Sequence, residues 1–323
     1  MTTDISTDST GTTTHVTATQ VTATDRVLDG PHGDLAVRVY TPSVTPVAGL
    51  VWAHGGGFMH GDLDMHEADG VARHLASAGV IVVSVDYRLV TPFDDDAVDG
   101  APVRGDGVRF PIPSEEVAFA VAWARGAELG VPSDRWSLGG ASAGGNLAAG
   151  AALRLRDAGA AVRSTVLAYP VSHHALPPHS AELTAKVAAV PGGSFPPPLV
   201  LAMNDNYLGH REGPTSPYAF PGGSGPEALR GLAPTFVVTS DSDGLRSMGE
   251  AYASELAAAG VDVVLVREDG TTHGHLNDPE HPGCARSLAR MTAWLTVDAL
   301  VGAAHEPSTV SQPEPRPAPG APR

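Results

Sequence analysis

A serine flanked by small residues can sit on a turn too tight for larger side chains, and Gly140-Ala141-Ser142-Ala143-Gly144 has that composition. The residues before it, Trp136 to Gly139, read as an apolar strand, and the Ala-rich stretch after it reads as a helix. A strand-to-helix turn of this kind projects a hydroxyl from the sheet edge and sets it beside the N–H groups and positive dipole end of the new helix. The chemistry it suits is nucleophilic attack on a carbonyl carbon. Such an attack drives negative charge onto the carbonyl oxygen, which needs N–H donors close by. His54-Gly55-Gly56-Gly57-Phe58 follows another apolar strand and offers a backbone that a substrate can approach without side-chain interference. A serine nucleophile also needs a base and an acid to orient that base. Two late strands lead into loops with both: Thr235 to Thr239 runs into Asp241 and Asp243, and Val261 to Val266 into His273 and His275. The spacing leaves each choice open.

The elements that must position these groups alternate along the chain. Short β-branched or apolar runs at Leu35 to Tyr40, Leu50 to Ala53, Val80 to Val85, Trp136 to Gly139, Thr165 to Tyr169, Thr235 to Thr239 and Val261 to Val266 read as strands. Between and after them, Met65 to Ala78, Glu115 to Leu129, Ala143 to Asp157, Leu245 to Ala259 and Ala285 to Leu300 read as helices, with Met248, Tyr252 and Leu256 stepping by four down one face. The alternation predicts an α/β fold: a mostly parallel central sheet with helices on both faces. Pro92 to Pro113 and Val171 to Pro234 interrupt the rhythm, and the second, with one short helix near Leu199 to Tyr207, is expected to be a cap inserted at about 171–233. Residues 1–24 are Thr-rich and 305–323 Pro-rich, so both are expected to be disordered tails around a domain at 25–304.

Composition removes several other classes. Lys and Arg total 20 against 36 Asp and Glu, a net charge of −16 that repels phosphate backbones and anionic lipid, so no nucleic-acid or membrane partner is expected. Lys186 is the only lysine, which leaves none for a phosphate-binding G-x-x-x-x-G-K loop. One cysteine, Cys284, permits neither an internal disulfide nor a cysteine zinc site, and the N-terminal residues lack the pattern of an export signal; a cytoplasmic location is expected. His66-Glu67 opens an H-E-x-x-H pattern that fails at Gly70, so it reads as an exposed helix face. His173, His174 and His179 lack carboxylate or thiol companions at ligand spacing, and Asp94 to Asp99 lacks the Glu that closes a calcium loop. Neither a metal nor a cofactor is expected.

HGGGF at 54–58, VDYRL at 85–89, GASAGGNLA at 140–148, DGLRSMGEAYASEL at 243–256 and GTTHGH at 270–275 resemble the hormone-sensitive-lipase family of α/β-hydrolases, in its bacterial esterase branch. The resemblance spans about Asp25 to Val301. It implies the α/β-hydrolase fold and selects Asp243, which opens D-x-L-R-x-x-G, as the acid and His273 as the base. It also implies Gly55, Gly56 and Ala143 as oxyanion donors. The chain departs from the family at Ala141, where Asp is common, at His275, where an aromatic is usual, and after VDYRL, where an acidic insertion intervenes.

The function expected from this resemblance is that of a carboxylesterase-type serine hydrolase acting on small-molecule esters with short-to-medium acyl chains. Ser142 is the nucleophile, and Phe58, Met203 and Tyr207 are expected to line the pocket. An amidase, deacetylase or lactonase would use the same triad, and a binding-only protein on the same fold would be marked by loss of a triad residue. A homodimer through an edge strand or the last helix is compatible with this reading.

Overall fold

The computed structural model describes residues 20–91, 107–191 and 193–297. Eight strands, β1 Val21–Gly30, β2 Gly33–Pro42, β3 Ala48–Ala53, β4 Val80–Asp86, β5 Trp136–Ala141, β6 Thr165–Ala168, β7 Thr235–Ser240 and β8 Val263–Glu268, form one sheet in the order β1-β2-β4-β3-β5-β6-β7-β8. β1, β2 and β4 pair antiparallel, and the remaining pairs are all parallel. β3, β5, β6 and β7 are buried along their whole length, which explains why they read as unbroken apolar runs.

Eight α-helices accompany the sheet among the described residues: α1 Val71–Ser77, α2 Ile112–Gly126, α3 Ala143–Asp157, α4 Ala181–Ala189, α5 Pro197–Leu208, α6 Pro226–Leu229, α7 Arg246–Ala258 and α8 Pro282–Thr296. Strand alternation divides the core. Leu50 and Trp52 of β3 face α1 and α8, whereas Val51 and Ala53 face the layer of α2, α3 and α7.

Several expectations need correction. Residues 21–24, assigned to a disordered tail, belong to β1 and pair with Pro42 to Val39 of β2. Their alternation of Val21 and Ala23 with threonines is a half-exposed edge-strand pattern, and threonine favours strands. Residues 1–19 and 305–323 lie outside the described residues. So do 92–106, including Asp94 to Asp99, while Ile112 and Pro113 open α2. The 171–233 segment carries α4 and α6 besides α5. α4 has a cap legible in the sequence: Ser180 Oγ accepts the Leu183 N–H at 3.1 Å.

Candidate active site

Ser142 stands between the end of β5 and the start of α3 with φ 51°, a backbone region that side-chain-bearing residues seldom occupy. The turn holds because its surroundings over-determine it: the Ser142 N–H donates to Ala168 O at 2.9 Å, and Ser142 O accepts the Val171 N–H at 3.1 Å. Small neighbours are obligatory. A Cβ on Gly144 would lie 2.2 Å from Ala53 O and 2.3 Å from His54 O, so only glycine lets α3 start against the end of β3.

Ser142 Oγ is 2.9 Å from His273 Nε2, and His273 Nδ1 is 2.8 Å from Asp243 Oδ2. Asp243 is fully buried, and its other oxygen accepts the Leu245 N–H at 2.8 Å. An ionised carboxylate only accepts, so Nδ1 carries the imidazole proton and Nε2 is left to accept the serine hydroxyl. Burial opposes charge on His273, but the Asp243 charge and hydrogen bond, with the charge of Glu67 behind them, outweigh it and raise its pKa above 6.5.

The competing residues are engaged elsewhere. Asp241 pairs with Lys186 at 2.5 Å and accepts the Gly270 N–H at 3.2 Å. His275 turns away from the serine, with Nδ1 2.9 Å from Ser240 Oγ and Nε2 2.8 Å from Ser287 Oγ. Burial first, then the nearby His273 and His281, push its pKa down to about 4.

The Gly-rich loop differs from expectation at one position. The Gly55 N–H donates to the Glu67 carboxylate at 2.7 Å, so it is not free to meet an oxyanion. The N–H groups of Gly56 and Gly57 meet no acceptor among the described residues, and Ala143 begins α3, where helix N–H groups lack intrahelical partners. Gly56 has φ 115°, and a Cβ there would lie 1.9 Å from His60 O, so the loop cannot carry a side chain at this point.

Two of the three expected pocket residues are core instead. Phe58 and Tyr207 are fully buried and stack at 4.2 Å, because the loop turns Phe58 inward with φ 68°. Met203 does lie at the loop: its Sδ is 3.2 Å from the position a Cβ would take on Gly57. Three residues that sequence reasoning does not place in the site are Phe195, edge-on to His273 at 4.9 Å, Tyr169, edge-on to the same ring at 5.0 Å, and Glu67. Glu67 is 2% exposed, which overturns the reading of His66-Glu67 as an exposed face. The Pro and Gly cluster around Phe195 hid it, and no periodicity marks a buried carboxylate in a turn. Phe195 also walls an apolar cleft of about 400 Å³ with Leu176, Val187, Pro196 and Pro197.

His173, His174 and His179 do not converge. They bind Glu255 Oε1 at 2.9 Å, Asp205 Oδ1 at 2.7 Å and Gly244 O at 2.8 Å respectively. Among the described residues no group of three His, Cys, Asp or Glu side chains is arranged to hold a metal, and no helix is long and apolar enough to cross a membrane.

Known proteins share this arrangement of elements. A family model of the alpha/beta hydrolase fold matches residues 50–95 and 105–277. Esterase LipI of Mycobacterium tuberculosis is 33% identical over 264 residues, which span 78% of this chain and 74% of that protein. Carboxylesterase NlhH of the same species is 35% identical over 265 residues, spanning 76% and 72%. A solved esterase from Pyrobaculum calidifontis superposes with a TM-score of 0.72 at 31% identity, covering 86% of each chain. The chain therefore belongs to the α/β-hydrolase-fold family, in its hormone-sensitive-lipase-like esterase branch.

Proposed function

We propose that the protein is a carboxylesterase that cleaves small-molecule esters through an acyl-enzyme on Ser142. The observation that carries the reading is the unbroken chain from Ser142 through His273 to Asp243, with contacts of 2.9 and 2.8 Å. Ser142 Oγ attacks the ester carbonyl as His273 Nε2 takes its proton, and Asp243 stabilises the imidazolium. The oxyanion is held by N–H groups of Gly56, Gly57 and Ala143. Collapse of the tetrahedral adduct releases the alcohol, protonated by His273, and water then cleaves the acyl-enzyme by the same steps in reverse order of partners. Met203 and Phe195 bound the reacting centre, and the cleft beside Phe195 suits an apolar substituent of short-to-medium length. The segment at 171–233 acts as the cap, since both residues come from it. The single cysteine fits a reducing, cytoplasmic setting.

The test is a panel of p-nitrophenyl esters from acetate to decanoate, run on the wild type and on Ser142→Ala. Serine-dependent turnover with an optimum at one chain length is the expected result. A folded wild type that turns over none of them would redirect the reading to amides or lactones, or to a binding protein that retains its triad.

A further inference from the structure

Glu67 is a buried carboxylate with no cation beside it: no Lys or Arg pairs with it among the described residues. Such a charge is costly to bury and is retained only where dipoles satisfy it. Oε1 accepts the Gly55 N–H at 2.7 Å, and Oε2 accepts the Tyr169 hydroxyl at 2.8 Å. The backbone around Glu67 is fixed as well. Trp52 Nε1 donates to Glu67 O at 2.7 Å, and the Glu67 N–H donates to Asn277 Oδ1 at 3.1 Å. Neighbouring His66 Nδ1 contacts Leu276 O at 2.6 Å, so this turn is tied both to the strand that precedes the Gly-rich loop and to the loop that carries His273.

The carboxylate thus joins two parts of the site. Through Gly55 it holds the residue before Gly56 and Gly57, and a Cβ on Gly55 would lie 2.4 Å from Glu67 Oε1 and 3.1 Å from Ser142 Cβ. Through Tyr169 it reaches a ring that packs edge-on against His273. We propose that Glu67 is a positioning residue: it sets the oxyanion loop through Gly55 and, across Tyr169, its charge stabilises the imidazolium that forms when Ser142 gives up its proton. The proposal rests on the reading of Ser142 and His273 as nucleophile and base.

The groups around His273 come from five elements: Asp243 after β7, Ser142 after β5, Tyr169 after β6, Phe195 from the 171–233 segment, and His275 from its own loop, which meets the far side of Tyr169 at 5.2 Å. Around Glu67 the titratable groups are Tyr169 and Tyr87, and the latter donates to His54 O at 2.9 Å. Burial keeps both tyrosines protonated, with pKa values well above 10. Among the described residues Asp243 and Glu67 are therefore the anions that act on His273, and Asp243 acts more strongly.

The test compares pH profiles of kcat/KM for p-nitrophenyl acetate in the wild type, Glu67→Gln and Glu67→Asp, with fluorophosphonate labelling of Ser142 as the check on the underlying reading. For Glu67→Gln, kcat is expected to fall about tenfold at nearly constant KM, and the acid limb to move down by about half a pH unit or more. Glu67→Asp retains the charge, so its acid limb is expected to stay with the wild type even as kcat drops. Glu67→Asn forms a second neutral partner for the Asp variant should Gln fail to fold. An acid limb in the neutral variants that coincides with its charged counterpart overturns the proposal, as does an Asp variant that shifts as far as Gln. Failure of both neutral variants to reach a folded state by circular dichroism also overturns it, because Glu67 would then serve stability. If Ser142 labels and the limb stays put, only this proposal fails; if Ser142 does not label, the reading beneath it fails too.

Discussion

His275 should make the protein lose stability in mild acid, and the size of the loss can be worked from its surroundings. It is 4% exposed, its two ring nitrogens contact the hydroxyls of Ser240 and Ser287, and among the described residues it makes no direct contact with a carboxylate. With its pKa at about 4 in the fold and near 6.5 in the unfolded chain, the unfolded state binds a proton here that the folded state refuses. Stability from this residue is fully present above pH 6.5 and drains away as pH falls towards 4. The difference in pKa corresponds to about 3 kcal/mol. Replacing it by Gln keeps an uncharged polar group for one serine and removes the titration. Urea unfolding of the wild type and His275→Gln, followed by both fluorescence and circular dichroism, measures the effect. The wild-type advantage is expected to be largest near pH 7.5 and to shrink by about 3 kcal/mol by pH 4. Other groups titrate over the same range, including His273 with the opposite sign, but they are common to both proteins and cancel. An advantage that stays constant with pH would refute the reasoning.

Ser142→Ala is expected to lose about four orders of magnitude or more in kcat on p-nitrophenyl esters, with its melting temperature kept, because triad members act as a unit. The acid limb of kcat/KM in the wild type should lie above pH 6.5, since His273 must be neutral to act and its pKa is raised; a pH-rate profile with its limb below 6.5 would contradict this. Gly144→Ala should cost about 3 kcal/mol or more by chemical denaturation, because its methyl group meets two backbone oxygens that cannot retreat. Glu255→Gln removes the charged partner of His173 and should loosen the 171–233 segment by about 1 kcal/mol after allowance for its partial exposure. Trypsin cleavage at exposed Arg211 is then expected to quicken about fivefold under conditions in which the opened segment recloses faster than it is cut.

What the sequence made legible follows from where local chemistry suffices. The strands β3, β5, β6 and β7 lie between two helical layers, so their apolar runs announced them, and Ala143–Asp157 emerged with its observed bounds because Gly-rich and Ala-rich stretches meet at a sharp boundary. β1 escaped notice because an edge strand with one solvated face needs few apolar residues, and its threonines passed for a polar tail. In the site, the chain order of Ser142, Asp243 and His273 was readable from loops that follow strands. The spacing of those loops does not choose between Asp241 and Asp243, or between His273 and His275, because both members of each pair are hydrogen-bonded, and only long-range partners such as Lys186 and Ser287 separate them. Gly55 illustrates the same limit. Nothing local to HGGGF says that a carboxylate twelve residues later takes its N–H.

The site groups all stand at the carboxyl ends of parallel strands: the Gly-rich loop after β3, Ser142 after β5, Tyr169 after β6, Asp243 after β7 and His273 after β8. A parallel sheet brings those ends to one edge, which is why residues far apart in sequence meet there. Phe195 of the 171–233 segment packs edge-on against His273 at 4.9 Å, and three histidines of the segment help to hold it. His173 fastens the segment to α7 through Glu255, His174 ties its start to α5 through Asp205, and His179 binds Gly244 next to Asp243. Gly244 in turn donates its N–H to Gly193 O at 2.8 Å, two residues before Phe195. The ring that packs on His273 is therefore held from the same loop that carries Asp243. In the proposed mechanism the orientation of the base and the cleft beside Phe195 are coupled through Asp243 and Gly244, so substitutions that slacken this contact should alter substrate preference along with rate.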